Sequence, residues 1–189
     1  MHRMCDQLRL EQDDELIDKW FNGETGFPFL DACMKYLHRY GWINFRMRAM
    51  IMSFASYNLW QPWQKTSPLL AQLFTDYEPG IHISQVQMQS GVTGINLPRI
   101  YSVSKQSVDQ DPDAIWIKSI FPQLSEVDPQ LIHTAELDNV YLPQIIDLKS
   151  SARDARERIW SIRKSNEFKK EAAAVYIKHG SRKKRNFRK

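Results

Sequence analysis

The stretch PFLDACMKYLHRYG, residues 28–41, predicts the clearest helix in this chain of 189 residues. Pro28 suits the first helical position, where its missing N–H costs nothing. Apolar side chains then recur every three or four residues, the spacing of one helix face. Gly41 suits the left-handed conformation that ends many helices. We therefore expect a packed helix between residues 28 and 40.

The same spacing predicts helices on both sides of this stretch. We expect them from about Phe45 to Leu59, from Ser67-Pro68 to Phe74, from Asp111-Pro112 to Ile120, from Ser150 onward, and from about Asn166 to Lys178, with Gly180 as the end. Residues 77–110 contain three glycines and two prolines, which favour a loop with short helical turns. Residues 125–149 contain Pro129 and Pro143 and are expected to be irregular. Alternation with a period of two is not evident, so the pattern predicts one all-α domain with a loop-rich centre.

Composition places the chain among globular proteins, with 42% hydrophobic and 25% charged residues. No segment approaches the roughly 18 uncharged apolar residues that a membrane helix needs. Cys5 and Cys33 lack the spacing of a metal or redox motif, and the five histidines form no ligand cluster. We expect no membrane contact, no metal and a reducing, cytoplasmic compartment.

Positive charge is concentrated at the C-terminus. Residues 178–189 carry +7, and the other 177 residues sum to −3. The division suggests a folded region over 1–177 and a basic tail over 178–189. Such a tail can neutralise nucleic-acid phosphates, and the alternative is a solvated, disordered end.

An ordered series of motifs runs from Trp20 to Leu124, and the sum resembles one family. The motifs are Gly-Glu-Thr-Gly-Phe-Pro at 23–28, Asp31-Ala32-Cys33-Met34, the run from Gly41 to Arg48, Ser53-Phe54-Ala55, Trp63, the run from Leu73 to Glu78, Gln85-Val86-Gln87-Met88, Arg99-Ile100-Tyr101, Lys105-Gln106 and Asp111-Pro112. Over roughly residues 15–165 they resemble the C-terminal half of the FAD-binding helical domain of the cryptochrome/DNA photolyase family, in a bacterial cryptochrome-like branch.

The resemblance also implies missing parts. Full-length members carry an N-terminal α/β antenna domain and a hydroxyl-rich segment that holds the FAD phosphates, and the residues before Trp20 match neither. We expect a fragment or truncated relative whose partner is the missing N-terminal segment of the same protein. The alternative is a complete small protein with its own start. FAD is the implied cofactor, and we expect weak or no binding of FAD by these residues alone.

The resemblance implies a cofactor role for six residues. Arg48 would pair with Asp76 beside the isoalloxazine ring, and Asp76, Tyr77 and Glu78 would follow the polar edge of the flavin. Phe45 replaces an asparagine that touches flavin and lesion, and His82 replaces an asparagine that faces flavin N5. From the residues alone, the alternatives are an ordinary salt bridge and a hydrogen-bonded loop histidine.

Electron transfer in the family uses a chain of three tryptophans. Trp63 matches the middle member, so Trp63 and His82 are the candidate catalytic residues. Val86 occupies the flavin-proximal tryptophan position, and the surface member would fall near Leu10. Trp42, Trp60 and Trp116 offer another path or are simply core aromatics.

The resemblance implies DNA as the partner. Four residues fall on or near positions that meet DNA phosphates in the family, namely Arg46, Arg99, Lys105 and Gln106. In the lesion pocket the sequence differs from the family, because Met88 replaces a tryptophan and Ala49 replaces a methionine. The implied activity is light-driven electron transfer for repair of pyrimidine dimers, a carbon–carbon lyase reaction, in damaged duplex or single-stranded DNA. The alternatives are a blue-light sensor without repair and a helical interaction module without flavin.

Overall fold

The computed structural model describes residues 2–94 and 97–179, and its regular structure there is entirely helical. The α-helices are α1 (Arg3–Asp6), α2 (Asp14–Asn22), α3 (Pro28–Tyr40), α4 (Phe45–Ser53), α5 (Trp63–Leu73), α6 (Pro79–Gln89), α7 (Val103–Gln110), α8 (Ile115–Ile120), α9 (Pro129–Thr134), α10 (Leu148–Arg163) and α11 (Asn166–His179). A π-helical turn, Phe54–Asn58, follows α4, and a 3-10 turn, Pro122–Leu124, follows α8. The all-α prediction is confirmed. In the described ranges, no helix is long and apolar enough to cross a membrane.

Helix α3 forms the centre of the core, as its apolar spacing predicted. It contacts α2, α4, α7, α8 and α9, and Leu30, Met34 and Leu37 are fully buried. Full burial of each such side chain contributes about 1.5–3 kcal/mol. Gly41 adopts φ +71° and donates its N–H to the Leu37 carbonyl at 2.8 Å, which confirms the predicted helix end.

A buried carboxylate organises the loop before α3. Asp31 accepts hydrogen bonds from Thr25 N at 2.9 Å, Thr25 Oγ1 at 2.6 Å, Gly26 N at 3.0 Å and Tyr141 Oη at 3.1 Å. Gly26 has φ +82°, and a Cβ there would overlap the backbone of Pro143. The glycine and the carboxylate together lock the loop to the segment around residue 141. Burial raises the pKa of Asp31 to about 6.

The predicted helix over residues 45–59 is present, but its type changes from α-helix to π-helix within it. It is α-helical to Ser53 and π-helical from Phe54 to Asn58. Ser53 Oγ donates to the Arg99 carbonyl at 3.2 Å and accepts from Tyr101 N at 3.1 Å. These contacts hold the segment around Arg99 against the end of α4.

The predicted helix start at Ser67-Pro68 was wrong. Helix α5 begins at Trp63, and Pro68 lies inside it. The extended residue Pro62 precedes the helix, and its carbonyl accepts from Lys65 N at 3.0 Å, so the first turn forms before the serine.

The loop predicted for residues 77–110 was also wrong, because it contains α6 and α7. The Glu78 carboxylate caps α6 by accepting from Ile81 N at 2.7 Å, and Pro79 occupies the first turn without losing a hydrogen bond. Ser102 caps α7 by accepting from Lys105 N at 3.2 Å.

The later boundaries differ by a few residues. Helix α8 begins at Ile115 rather than Asp111, because the Asp111 carboxylate accepts from Trp116 N at 3.1 Å and Ile117 N at 2.9 Å from outside the helix. Helix α9 interrupts the irregular segment over residues 125–149. Helices α10 and α11 agree with prediction, whereas Gly180 and most of the predicted tail lie outside the described residues.

Candidate functional site

A cleft of about 150 Å³ lies between α4, the end of α5 and α6. Its floor is apolar and consists of Ala49, Met52, Leu70, Phe74 and Val86. Its rim is mostly polar and contains Phe45, Arg48, Asp76, Tyr77, Glu78, Ile81, His82, Gln85 and Gln89. All six predicted cofactor residues therefore line one cleft, although four of them lie 28 or more positions after Arg48 in the chain.

Arg48 and Asp76 form a bidentate pair at the edge of this cleft. Arg48 Nη1 donates to Asp76 Oδ1 at 3.1 Å, and Nη2 donates to Oδ2 at 2.9 Å. Arg48 Nε also donates to the Ile43 carbonyl at 2.8 Å, and its Cζ lies 4.2 Å from the centre of the Phe74 ring. The hydrogen bonds from Arg48 hold the pKa of Asp76 below its usual value. The Asp76 side chain is 48% exposed, so the pair belongs to the rim and not to the core.

His82 lies in the first turns of α6 and not in a loop. Its Nε2 lies 3.1 Å from the Ser67 carbonyl and 3.0 Å from Ser67 Oγ. Because a carbonyl only accepts, Nε2 carries the hydrogen in that contact. Burial, followed by the positive charge of Arg48, lowers the pKa of His82, although the Ser67 bond opposes the shift. A neutral ring protonated at Nε2 leaves Nδ1 as an acceptor.

The other predicted cofactor residues lie at the mouth of the cleft. Phe45 is 57% exposed and Tyr77 is 44% exposed. The Glu78 carboxylate already caps α6 through Ile81 N, so its primary role in this structure is to orient the helix that carries His82. Phe45 and Tyr77 are available to contact a planar ligand.

Gln85 is a cleft residue to which the sequence analysis assigned no role. Its Oε1 is buried and has no hydrogen-bond partner among the described residues. Glu78, His82, Gln85 and Gln89 follow each other at intervals of four, three and four, which places them on one face of α6. That spacing is visible in the sequence, and it was missed because no helix was predicted there.

Trp63 lies outside the cleft. It stands at the start of α5, donates from Nε1 to Asp6 Oδ1 at 2.9 Å and is partly buried. It lines a shallow groove together with His82 and Tyr77. The two predicted catalytic residues therefore share this groove, and His82 also belongs to the cleft.

The predicted DNA contacts are divided between surface and interior. Arg46 and Arg99 are exposed, and Lys105 is exposed while its Nζ contacts the Asp109 carboxylate at 3.0 and 2.9 Å. Gln106 is only 6% exposed, so the structure does not support a phosphate contact by this residue. Consecutive residues of α7 point to different sides, so Lys105 faces outward and Gln106 faces inward.

A model of one protein family, described as the FAD binding domain of DNA photolyase, matches residues 1–161. The chain belongs to this family. The cofactor of this domain is FAD. The sequence-based assignment to the photolyase/cryptochrome family is confirmed.

Similar proteins cover both branches of the photolyase/cryptochrome family. A deoxyribodipyrimidine photo-lyase from Alkalihalophilus pseudofirmus is 30% identical over 129 residues, which are 67% of this chain and 27% of that protein. A cryptochrome DASH from Natronomonas pharaonis is 29% identical over 65% of this chain and 26% of its own length. The chain thus spans about a quarter of the length of these relatives.

Solved structures give the same fold. An archaeal photolyase from Sulfolobus tokodaii, solved with two FAD molecules, matches with a TM-score of 0.79 at 26% identity, over 85% of this chain and 38% of that one. A bacterial class III photolyase from Agrobacterium tumefaciens matches with a TM-score of 0.75 at 23% identity, over 85% of this chain and 36% of that one, and shares the fold.

The cleft fits the ring system of the cofactor. Its apolar floor suits a planar aromatic ring, and the unsatisfied Gln85 Oε1 is an acceptor for a ring N–H. The Arg48–Asp76 pair adds a cation and an acceptor at one edge.

Proposed function

We propose that these residues form the ring-binding half of a FAD site in a light-driven DNA photolyase. The observation that carries the proposal is the bidentate Arg48–Asp76 pair at the edge of an apolar cleft, in a chain of the photolyase FAD-binding family. The phosphates and adenine of FAD would be held by the N-terminal part of the protein beyond these 189 residues. We also propose a cytoplasmic location for the protein.

The residues of the cleft would bind and tune the ring. Bound FAD supplies light absorption and electron transfer, while the protein supplies orientation and electrostatics. The Arg48 guanidinium stabilises negative charge at the ring edge, and Asp76 keeps that guanidinium oriented through two hydrogen bonds. His82 offers Nδ1 as an acceptor, because Ser67 holds the hydrogen on Nε2. Gln85 offers a second acceptor through its buried Oε1.

The proposed substrate is a pyrimidine dimer in damaged duplex or single-stranded DNA. Arg46 and Arg99 are exposed cations that would position the DNA backbone without reading its sequence. The damaged, weakly paired base would be flipped toward the cleft, where Phe45 is exposed at the mouth. Trp63 and His82 would serve electron and proton movement at the shared groove wall.

A second candidate function is a blue-light sensor that binds DNA without repairing it. Two observations favour it. Val86 stands where the resemblance places the flavin-proximal tryptophan of the electron path, and Met88 where it places a tryptophan that stacks near the lesion. Several relatives are cryptochromes DASH. The match to a FAD-binding family argues against the flavin-free interaction module.

Light-dependent loss of dimers separates the two candidates. The flavin-loaded protein, reduced and illuminated with blue light, should convert a dimer-containing oligonucleotide to intact pyrimidines, with a dark sample as control. Retention of every dimer by a protein whose flavin responds to light would overturn the repair proposal and favour the sensor.

A further inference from the structure

Helix α10 carries a stripe of exposed cations around one exposed tryptophan. Its members are separated by four, three and four residues, which places them on one helix face, and they are Lys149, Arg153, Arg156 and Trp160. Lys164, four positions after Trp160, continues the stripe just beyond the helix. The opposite face packs on the core through the buried residues Ala155 and Ile159. This cationic stripe is thus a solvent-facing feature.

The stripe marks a change of charge along the chain. Residues 1–148 contain 11 Lys or Arg and 18 Asp or Glu, whereas residues 149–189 contain 15 and 4. The net charge changes from −7 to +11 at the second residue of α10. The attraction for polyanions therefore begins within the folded part and not at the tail.

Neighbouring acids only partly neutralise the stripe. Arg153 Nε and Nη2 lie 3.3 Å from Asp154 Oδ1, but the Arg153 side chain is 67% exposed, and such exposed pairs are weak. Glu157, four residues after Arg153, borders the stripe. Arg158 points elsewhere, with its Cζ 4.9 Å from the centre of the Trp60 ring. The stripe remains net positive.

Trp160 gives the stripe a stacking surface. Its side chain is 47% exposed, and the Arg163 Cζ lies 5.8 Å from its ring centre. A large aromatic among cations is the combination that single-stranded nucleic acids bind, because phosphates meet the cations and unpaired bases stack on the ring.

A cleft of about 600 Å³, with polar and apolar side chains in its lining, adjoins the first half of the stripe. Lys149 and Arg156 line it together with the carboxylates Glu136 and Asp147 and with Asn58, which is 7% exposed. Asn58 Oδ1 is buried and has no hydrogen-bond partner in the described part of the chain. An unsatisfied acceptor in this cleft suits a nucleobase N–H and does not suit a lipid chain.

We propose that α10 is a second nucleic-acid surface, which binds a single strand along the cationic stripe and stacks one base on Trp160. No residue of the stripe lines the FAD cleft, so the proposal does not depend on flavin binding or repair. The surface would hold a single strand independently of its sequence.

The test measures binding of a fluorescent, undamaged single-stranded oligonucleotide to the full chain at several salt concentrations in the dark. Arg153→Gln with Arg156→Gln should flatten the slope of log affinity against log salt by about 1.4, at about 0.7 per phosphate contact. Trp160→Ala should weaken binding about fivefold or more at every salt concentration, and Trp160→Phe should retain most of the affinity.

The charge-matched control is Lys65→Gln with Lys118→Gln, on α5 and α8, and it should leave the slope nearly unchanged. An equal slope change in both double variants would overturn the localisation to α10. Unchanged affinity of Trp160→Ala, with an unchanged melting temperature, would overturn the stacking contact. If the variants weaken binding to a blunt duplex as much as to the single strand, the single-strand specificity is wrong. Binding to vesicles of anionic lipid is measured in parallel. If the variants weaken vesicle binding and leave oligonucleotide binding unchanged, nucleic acid is not the partner.

Discussion

Arg48 on α4 and Asp76, 28 residues later in the chain, join through two hydrogen bonds of 3.1 and 2.9 Å. The pair connects α4 to the turn before α6 and sets the polar edge of the cleft. Asp76 is half exposed, so the pair lies at the protein surface and solvent screens its charges.

Asp76→Asn should therefore have a small effect on stability. We expect a loss of about 1 kcal/mol or less, because half-exposed pairs are screened by solvent. The larger cost of a buried pair, about 3–5 kcal/mol, does not apply here. The pair's contribution is present above the unfolded pKa of about 3.9 and is lost as pH falls through the lowered folded pKa. Chemical denaturation of Asp76→Asn and the control Asp109→Asn measures this, and a loss of several kcal/mol would show the pair to be buried.

Asp31 should make stability fall as pH rises from about 4 to 6. The folded carboxyl, with its pKa raised to about 6, keeps its proton where the unfolded chain has released it, so protonation favours the fold. The full contribution is about 3 kcal/mol, at about 1.4 kcal/mol per pH unit. Denaturation across this range, compared with Asp31→Asn, isolates the effect.

Tyr141→Phe provides a milder test of the same carboxyl. It removes a hydrogen bond that lowers the pKa of Asp31, so the stability loss should move to higher pH. Tyr101→Phe is the control, since Tyr101 does not bond this carboxylate. A stability profile that does not move would contradict the role of Asp31.

Gln85→Leu should weaken flavin binding without destabilising the fold. It removes the unsatisfied buried Oε1, which favours stability by up to about 1 kcal/mol, while it deletes a proposed acceptor for the ring. Thermal melting and flavin titration, with the exposed Gln72→Leu as control, test both parts. A clear loss of stability would mean that Oε1 has a structural partner.

Deletion of residues 178–189 should reduce non-specific binding to duplex DNA. Neutralising up to about seven phosphates gives a slope of log affinity against log salt of about −6, and deletion should flatten it. The contribution of α10 and of Arg46 and Arg99 should remain. An unchanged slope after deletion would identify the tail as a solvated end.

Local sequence signals predicted those helices whose ends and buried faces depend on residues close together in the chain. Helix α3 and its end at Gly41 follow from apolar spacing and one left-handed glycine. Helix α6 was missed because Pro79 and Gly80 suggested a loop, whereas the cap from Glu78 makes Pro79 favourable. The start of α5 was placed too late because Ser67-Pro68 suggested a helix cap, whereas the extended Pro62 precedes the helix and its carbonyl accepts from Lys65 N.

The residues of the site could be predicted only at positions that match motifs of the family. Pairing of Arg48 with Asp76 spans 28 residues and has no local signature, so it came from the ordered motifs. Gln85 was missed with α6, and the burial of Gln106 follows from the rotation of α7 against the core. Roles of the predicted residues toward FAD and DNA remain predictions for experiment.

Titration of riboflavin and FAD into the full chain tests the central claim most directly. Riboflavin carries the ring without the phosphates and adenine, so both ligands should bind weakly and with similar affinity, and gel filtration should remove them. Asp76→Asn and Gln85→Leu should weaken both, whereas Asp109→Asn and Gln72→Leu should not. Binding that is unaffected by Asp76→Asn and Gln85→Leu, or no saturable binding of riboflavin, would contradict a ring-binding half-site in this cleft.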